Sequence, residues 1–375
     1  MIDVKRLVKL TQDLIHIDSH NPGGNERDIA LFVKRYLEAL GVKVKLYEFK
    51  KGRTNVVARL RGSGQRRSLL ITPHLDTVPP GKGWKMPPFT GRVSGGKIYG
   101  LGATDCKCNL AVSLEVIRSL VEDRVVLGYD LIFAATADEE AGSVLGIIPL
   151  LDKRILNPDA ALVLDVDDFK VIVAQKGLIH LKVKLKGKSS HAAYPNRGIN
   201  AIEAAVKILS KLRSKRRPFK KNKYLGPPTF NIGTISGGDK VNMVAGWCDF
   251  ELDFRFLPGQ DPKDIIKGLR DIIKKHAYGY NIEIKSVQQD YLLDARHPIV
   301  RTLKRSLKKC GLIPKVTGSE AATTITFFQH KNIPAVACGF GVDGCEHSAD
   351  EYVTIANLSK GAKVLESFLK DYEFD

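Results

Sequence analysis

His74 and Asp76 stand two residues apart in I71-T-P-H-L-D-T-V-P79, just past the apolar run L69-L-I-T72. In an extended chain, side chains two apart point to the same side. One nitrogen of His74 can then ligate a metal while Asp76 accepts a hydrogen bond from the other and fixes the tautomer. Asp105 closes G100-L-G-A-T-D105. Glu139 and Glu140 follow L131-I-F-A-A-T-A137, Asp165 follows A161-L-V-L164, and His347 lies in C345-E-H-S-A-D-E-Y352. Each follows or borders a run that reads as a buried strand, and open α/β sheets gather their ligands at strand ends. Histidines and carboxylates delivered this way suit a two-metal hydrolytic centre.

Taken singly, each residue has a plainer explanation. A Glu-Glu pair commonly sits at a solvated helix end, Asp165 with Asp167 and Asp168 would cap a turn, and His347 would be an ordinary surface histidine. The set argues otherwise. Its carboxylates follow hydrophobic runs that must be buried, and an unpaired buried charge is expensive.

The elements that position this set read as an α/β chain. Helices are expected over 2–17 and 26–40, the second stopped by Gly41. Strands follow at 42–49, 54–60, 69–72, 129–136 and 160–165. An amphipathic helix is expected over 109–120, with Asp105 near its free N–H groups, and a glycine-containing helix around 141–152. His16 and His20 follow no core strand and read as surface or packing residues. After Gly177 the pattern changes. L178-I-H-L-K-V-K-L-K186 alternates strictly, which predicts a sheet with one wet face. Helix 199–212, strands 229–235 and 248–256, helix 262–275 and strand 281–287 complete a β-α-β-β-α-β unit. The core then resumes with helix 298–309, strand 333–338 and helix 355–371. The expected organisation is a mixed-sheet α/β core formed by 1–176 and 289–375, with an inserted two-layer α+β domain at 177–288.

The sequence also resembles the co-catalytic zinc aminoacylase and carboxypeptidase family, which includes acetylornithine deacetylase and succinyl-diaminopimelate desuccinylase. The matching pieces are HLDTVP at 74–79, GLGATD at 100–105, DEE at 138–140, the pair Asp159 and Asp165, KSSHAAYP at 188–195, DFRFLPG at 253–259 and HSADEY at 347–352. They run in the family's order over most of the chain. One departure is D105-C-K-C-N109, where the family has D-M-K-G-G.

The resemblance implies two divalent ions, zinc with cobalt as a substitute. It puts His74 and Asp165 on one, Glu140 and His347 on the other, and Asp105 between them. Glu139 becomes the general base, with Asp76 beside it in the catalytic set. His191 would reach the active site of the partner subunit in a homodimer formed through the inserted domain. Arg255, with Asn242, would bind a substrate carboxylate through its guanidinium fork. The implied reaction removes an acyl group from a small N-acyl amino acid with a free carboxylate. Carboxypeptidase, dipeptidase or general aminoacylase chemistry is the alternative.

Composition limits the other classes. The chain has 375 residues, 43% hydrophobic and 27% charged, which is globular composition. It has no apolar run of membrane-spanning length and begins without the apolar core of a signal peptide, so a cytoplasmic location is expected. Its six cysteines are irregularly spaced and read as reduced thiols, with Cys106 placed to touch the metal environment. Of the formal charge of +18, residues 177–288 carry 22 basic and 9 acidic residues, concentrated in K211-L-R-S-K-R-R-P-F-K-K-N-K223. Such a run invites nucleic acid. It has few aromatics, a proline and no binding module, so it reads as a solvated loop and nucleic acid is not an expected partner.

Overall fold

Ser68–Thr72, Asp130–Ala135 and Ala160–Val163 are short apolar runs, nearly every side chain of which is buried. Strands buried on both faces must lie inside a sheet covered by helices, and that is their place in the computed structural model. It describes residues 1–374 except 24, 65–66, 166–167, 215–217 and 322. Asp167 and the Lys215-Arg216-Arg217 centre of the basic run therefore lie outside the described residues. The chain forms two compact units. One comprises Met1–Val173, Leu293–Thr317 and Phe327–Asp375; the other comprises Ala174–Leu292 and Gly318–Thr326.

In the largest sheet the strand order runs Val44–Lys50, Arg53–Leu60, Asp130–Ala135, Ser68–Thr72, Ala160–Val163, Ala335–Ala337 and Val171–Gln175. The four from Asp130–Ala135 to Ala335–Ala337 are mutually parallel, and the flanking strands pair antiparallel. This mixed α/β sheet is the expected core, with two additions. Val171–Gln175 is a strand that the sequence reading passed over. A small second sheet, Tyr352–Thr354, Lys97–Tyr99 and Arg92–Ser94, ties the 345–352 segment to the glycine-rich stretch before Asp105.

Two helices differ from expectation. Lys107–Glu122 is not amphipathic in its setting: it packs against Val4–Ile15, Arg27–Glu38 and Ile355–Asp371 and is buried on nearly every side. Its polar residues are satisfied individually. Glu115 binds Arg6 at 2.7 Å, Ser113 donates to the Asn109 carbonyl, and Ser119 donates to Glu366. The helix expected around 141–152 is shortened to Ile147–Asp152, preceded by a single 3-10 turn at Glu139–Ala141. Gly142 breaks it with φ 99°. Gly146 passes so close to the Ala137 carbonyl that an added Cβ would lie 1.9 Å from it.

The second unit is a four-stranded antiparallel sheet ordered Thr229–Gly237, Trp247–Phe256, Gly177–Lys186 and Gly279–Gln288. Helices Ala201–Ser214 and Pro262–His276 bury one face around Val183, Leu185, Phe250, Leu252, Ile208 and Leu269. The opposite face pairs Asp253 with His180 and Glu251 with Lys182 across strands. Among the described residues no helix is long and apolar enough to cross a membrane.

Candidate metal centre

The parallel strands all end at one edge of the core sheet, and the candidate ligands leave from that edge. His74 follows Ser68–Thr72 and forms a bridge with Thr136, where Leu75 N–H donates to the Thr136 carbonyl at 2.7 Å. Glu139 and Glu140 follow Asp130–Ala135, and Asp165 follows Ala160–Val163. Asn109 fixes the Asp165 loop by donating to its carbonyl at 2.9 Å, while its own side-chain oxygen accepts from Phe340 N–H. His347 has φ 56° and is carried in by the small sheet.

These residues form two groups that share one carboxylate. The ligand atoms of His74, Asp105 and Asp165 lie within 4.8 Å of one another, as do those of Asp105, Glu140 and His347. His74 Nε2 is 2.9 Å from Asp105 Oδ1, and His347 Nε2 is 3.1 Å from Asp105 Oδ2 and 3.2 Å from Glu140. Imidazole nitrogens and carboxylate oxygens converging on two points, with one carboxylate offering an oxygen to each, fit a pair of divalent ions. Glu139 belongs to neither group.

Burial alone would raise Asp105, but His347 and His74 override it and hold the carboxyl well below the usual range. Hydrogen bonds to Asp105 and Glu140 push His347 up to about 11, against partial burial. Glu139 is driven well above its ordinary value, chiefly by burial and then by the neighbouring Asp165 charge.

Asp76 occupies a different position from the one spacing predicts. His74 Nδ1 lies 2.9 Å from the main-chain carbonyl of Asp76, and the Asp76 carboxylate is 3.6 Å away. That carboxylate instead accepts the N–H groups of Glu139 at 3.0 Å and Glu140 at 3.1 Å, and the Asn21 amide at 3.0 Å. The strand ends at Thr72, so strict alternation no longer governs residue 76. Asp76 is thus the anchor of the Glu139–Glu140 turn, and a main-chain oxygen sets the histidine tautomer.

Two further residues escaped the sequence reading. Glu351 is buried and accepts N–H bonds from Gly102, Thr104 and Asp105 at 2.7–2.9 Å, fixing the loop that presents Asp105. Burial lifts its carboxyl to about 7. Its signal was present, since it lies in HSADEY. Asn21 had none, sitting in a turn-rich segment. Cys106 donates to the Leu164 carbonyl at 3.0 Å and lies against His74, but neither group includes it.

The second unit holds the other three candidates. Ala192 N–H donates to the Asn242 carbonyl at 3.0 Å, and His191 bridges Met243, so the loops carrying His191 and Asn242 are joined. His191 Nδ1 accepts from Ala193 N–H, which places the ring proton of the neutral form on the exposed side's Nε2. Arg255 donates through Nε and Nη2 to Asp253 at 2.9 and 3.1 Å. One edge of its fork is therefore occupied by its neighbour on the same strand face. Its Nη1 is buried without a hydrogen-bond partner.

Residues 70–371 match the family model described as peptidase family M20/M25/M40. The chain is 28% identical to an acetylornithine deacetylase of Proteus mirabilis, with 99% of this chain and 96% of that one covered. It is 26% identical to a tripeptidase of Staphylococcus aureus, with TM-score 0.83 and coverage of 99% and 98%. A metallo-carboxypeptidase of Sulfolobus solfataricus shares the fold, with TM-score 0.82 at 22% identity and coverage of 97% and 98%.

Proposed function

Because the chain belongs to peptidase family M20/M25/M40, we propose that it is a two-metal hydrolase that cleaves short peptides at an amide bond near a free carboxylate. One observation carries this reading: two three-residue ligand groups share Asp105, and Glu139 stands beside both and belongs to neither. His74, Asp105 and Asp165 would hold one divalent ion, and Asp105, Glu140 and His347 the other, zinc or cobalt. Bound there, such ions make water acidic enough to attack at neutral pH and polarise the amide carbonyl.

Glu139 takes the proton of the attacking water and delivers it to the nitrogen as the C–N bond breaks, leaving a free acid and a free amine. Asp76 fixes Glu139 and Glu140 through their main-chain N–H groups. Arg255, steadied by Asp253, holds the substrate carboxylate, with Asn242 alongside. His191 donates from Nε2 to the developing oxyanion of a partner subunit's site, in a cytoplasmic homodimer.

The second reading is deacylation of a small N-acyl amino acid. It is favoured by the nearly full-length likeness to acetylornithine deacetylase and by D253-F-R-F-L-P-G259. Purified protein supplied with zinc or cobalt is tested on dipeptides, tripeptides, N-acetylornithine, N-succinyl-diaminopimelate and N-acetylmethionine. Peptides cleaved at least tenfold faster support the first reading, and the reverse order supports the second. Cleavage of none of these amides would refute both.

A further inference from the structure

Three buried carboxylates adjoin the Glu139–Glu140 turn and ligate nothing: Glu26, Asp76 and Asp138. Among the described residues a single Lys or Arg side chain pairs with any of them. That residue is Arg53, 9% exposed, at the start of the strand Arg53–Leu60. Its Nε and Nη2 donate to the two oxygens of Glu26, both at 2.6 Å, and Nη2 also reaches Asp138 Oδ1 at 2.9 Å.

Asp138 needs such a hold. It immediately precedes Glu139 and adopts φ 66°, a left-handed conformation that is strained for a non-glycine residue. Its other oxygen accepts Leu145 N–H at 2.9 Å, and its own N–H donates to Glu26 at 3.2 Å. Asn21 joins the network to Asp76 by donating to both Asp138 and Asp76. The ring Arg53–Asp138–Glu26 therefore clamps the residue whose backbone angle decides where Glu139 and Glu140 point.

We infer that Arg53 is a positioning residue of the metal centre: it holds Asp138 in its left-handed turn and so sets the register of Glu139 and Glu140. The plainer alternative is that Arg53 only neutralises Glu26 and supports the fold. The inference rests on the two-metal reading, but its main readout, zinc binding, needs no substrate.

Full-length protein is stripped with a chelator, and zinc is returned in competition with a chromophoric chelator. Wild type should take two ions. In Arg53→Met one of the two should bind about 10–100-fold more weakly, as when an outer hydrogen-bond partner of a ligand is removed. The kcat should fall by a similar factor, with KM within about threefold. Arg53→Lys should lie between, because a point charge cannot reproduce the fork.

The double variant Arg53→Met/Glu26→Gln removes both charges of the pair while keeping an acceptor for Asp138 N–H, an exchange that buried pairs generally tolerate, so it reports even if the single variant is unstable. Continued weakening of one zinc site in a double variant with wild-type melting temperature supports action through Asp138. Wild-type zinc affinity in that variant, or in Arg53→Met, would overturn the inference. Two tightly bound zinc ions with no cleavage of any amide would count against the functional reading alone.

Discussion

Replacing Asp76 by alanine isolates the turn that carries the proposed base from the ligands themselves. The carboxylate is wholly buried, and its removal leaves three donors without their acceptor: Glu139 N–H, Glu140 N–H and the Asn21 amide. A buried donor left unsatisfied costs about 1–3 kcal/mol. Water entering the space would recover part of that, so about 3 kcal/mol against the ordered turn is a conservative figure. At about 1.4 kcal/mol per factor of ten, the ratio of ordered to disordered turn falls about 100-fold. The expected result for Asp76→Ala is a drop of about 100-fold in kcat/KM with weaker binding of the ion at Glu140 and His347. Asp76→Asn keeps one acceptor oxygen and should fall between alanine and wild type.

The pH dependence follows the same contacts. Burial opposes the Asp76 charge, but the nearby His74 ring and the bonds from Asn21 and Glu139 outweigh it and hold its carboxyl below the ordinary 3.8. A depressed carboxyl stabilises the fold fully above that ordinary value, and the contribution fades as pH falls through the folded value. Stability measured by chemical denaturation between pH 7 and pH 2 should thus decline less steeply for Asp76→Ala than for wild type. An Asp76→Ala enzyme with two bound ions and kcat/KM within threefold of wild type would refute the reasoning.

Three further outcomes separate the proposed roles. Asp105→Ala should lose both ions, whereas Glu139→Ala should keep near-complete metal content and lose turnover; ordinary turnover in a metallated Glu139→Ala enzyme would exclude Glu139 as the base. Arg255→Ala should lower kcat/KM about 10–100-fold for substrates with a free carboxylate, a loss of about 1.4–2.7 kcal/mol, and should leave amide-capped substrates nearly unchanged. Equal loss for both would make Arg255 a support for Asp253. Mixing inactive His191→Ala with inactive Glu139→Ala should restore about a quarter of wild-type activity if subunits exchange freely and His191 acts across the interface; no recovery after exchange is shown with labelled subunits would exclude that action.

The parts of the centre that sequence made legible share one physical signature. His74, Glu139, Glu140 and Asp165 are polar residues placed immediately after apolar runs, and a buried run forces its end to become a fixed point in the fold. The inserted unit was legible for a similar reason: alternation over Gly177–Lys186 and Trp247–Phe256 reports a sheet with one wet face. Where the pattern was short, the signal failed. Three-residue strands such as Lys97–Tyr99 and Tyr352–Thr354 have no period to detect, yet their pairing brings His347 to Asp105. The helix Lys107–Glu122 misled in the opposite way, because Glu115, Ser113 and Ser119 look like a solvent face until their partners are known.

What remained hidden is the set of contacts that holds the ligands still. Asn21 meets Asp76 across 55 positions of sequence, Arg53 meets Asp138 across 85, and Glu351 meets the Asp105 N–H across 246. None of these residues follows a core strand or repeats at a helical or strand interval, so no periodicity selects them, and only Glu351 lies in a motif. Ligand identity depends on chemistry that short motifs can encode, while ligand position depends on buried hydrogen bonds that close only when distant segments meet. A change at Asn21, Arg53 or Glu351 should therefore leave every metal-binding side chain in the chain and still weaken the centre, because each orders a backbone segment that presents a ligand.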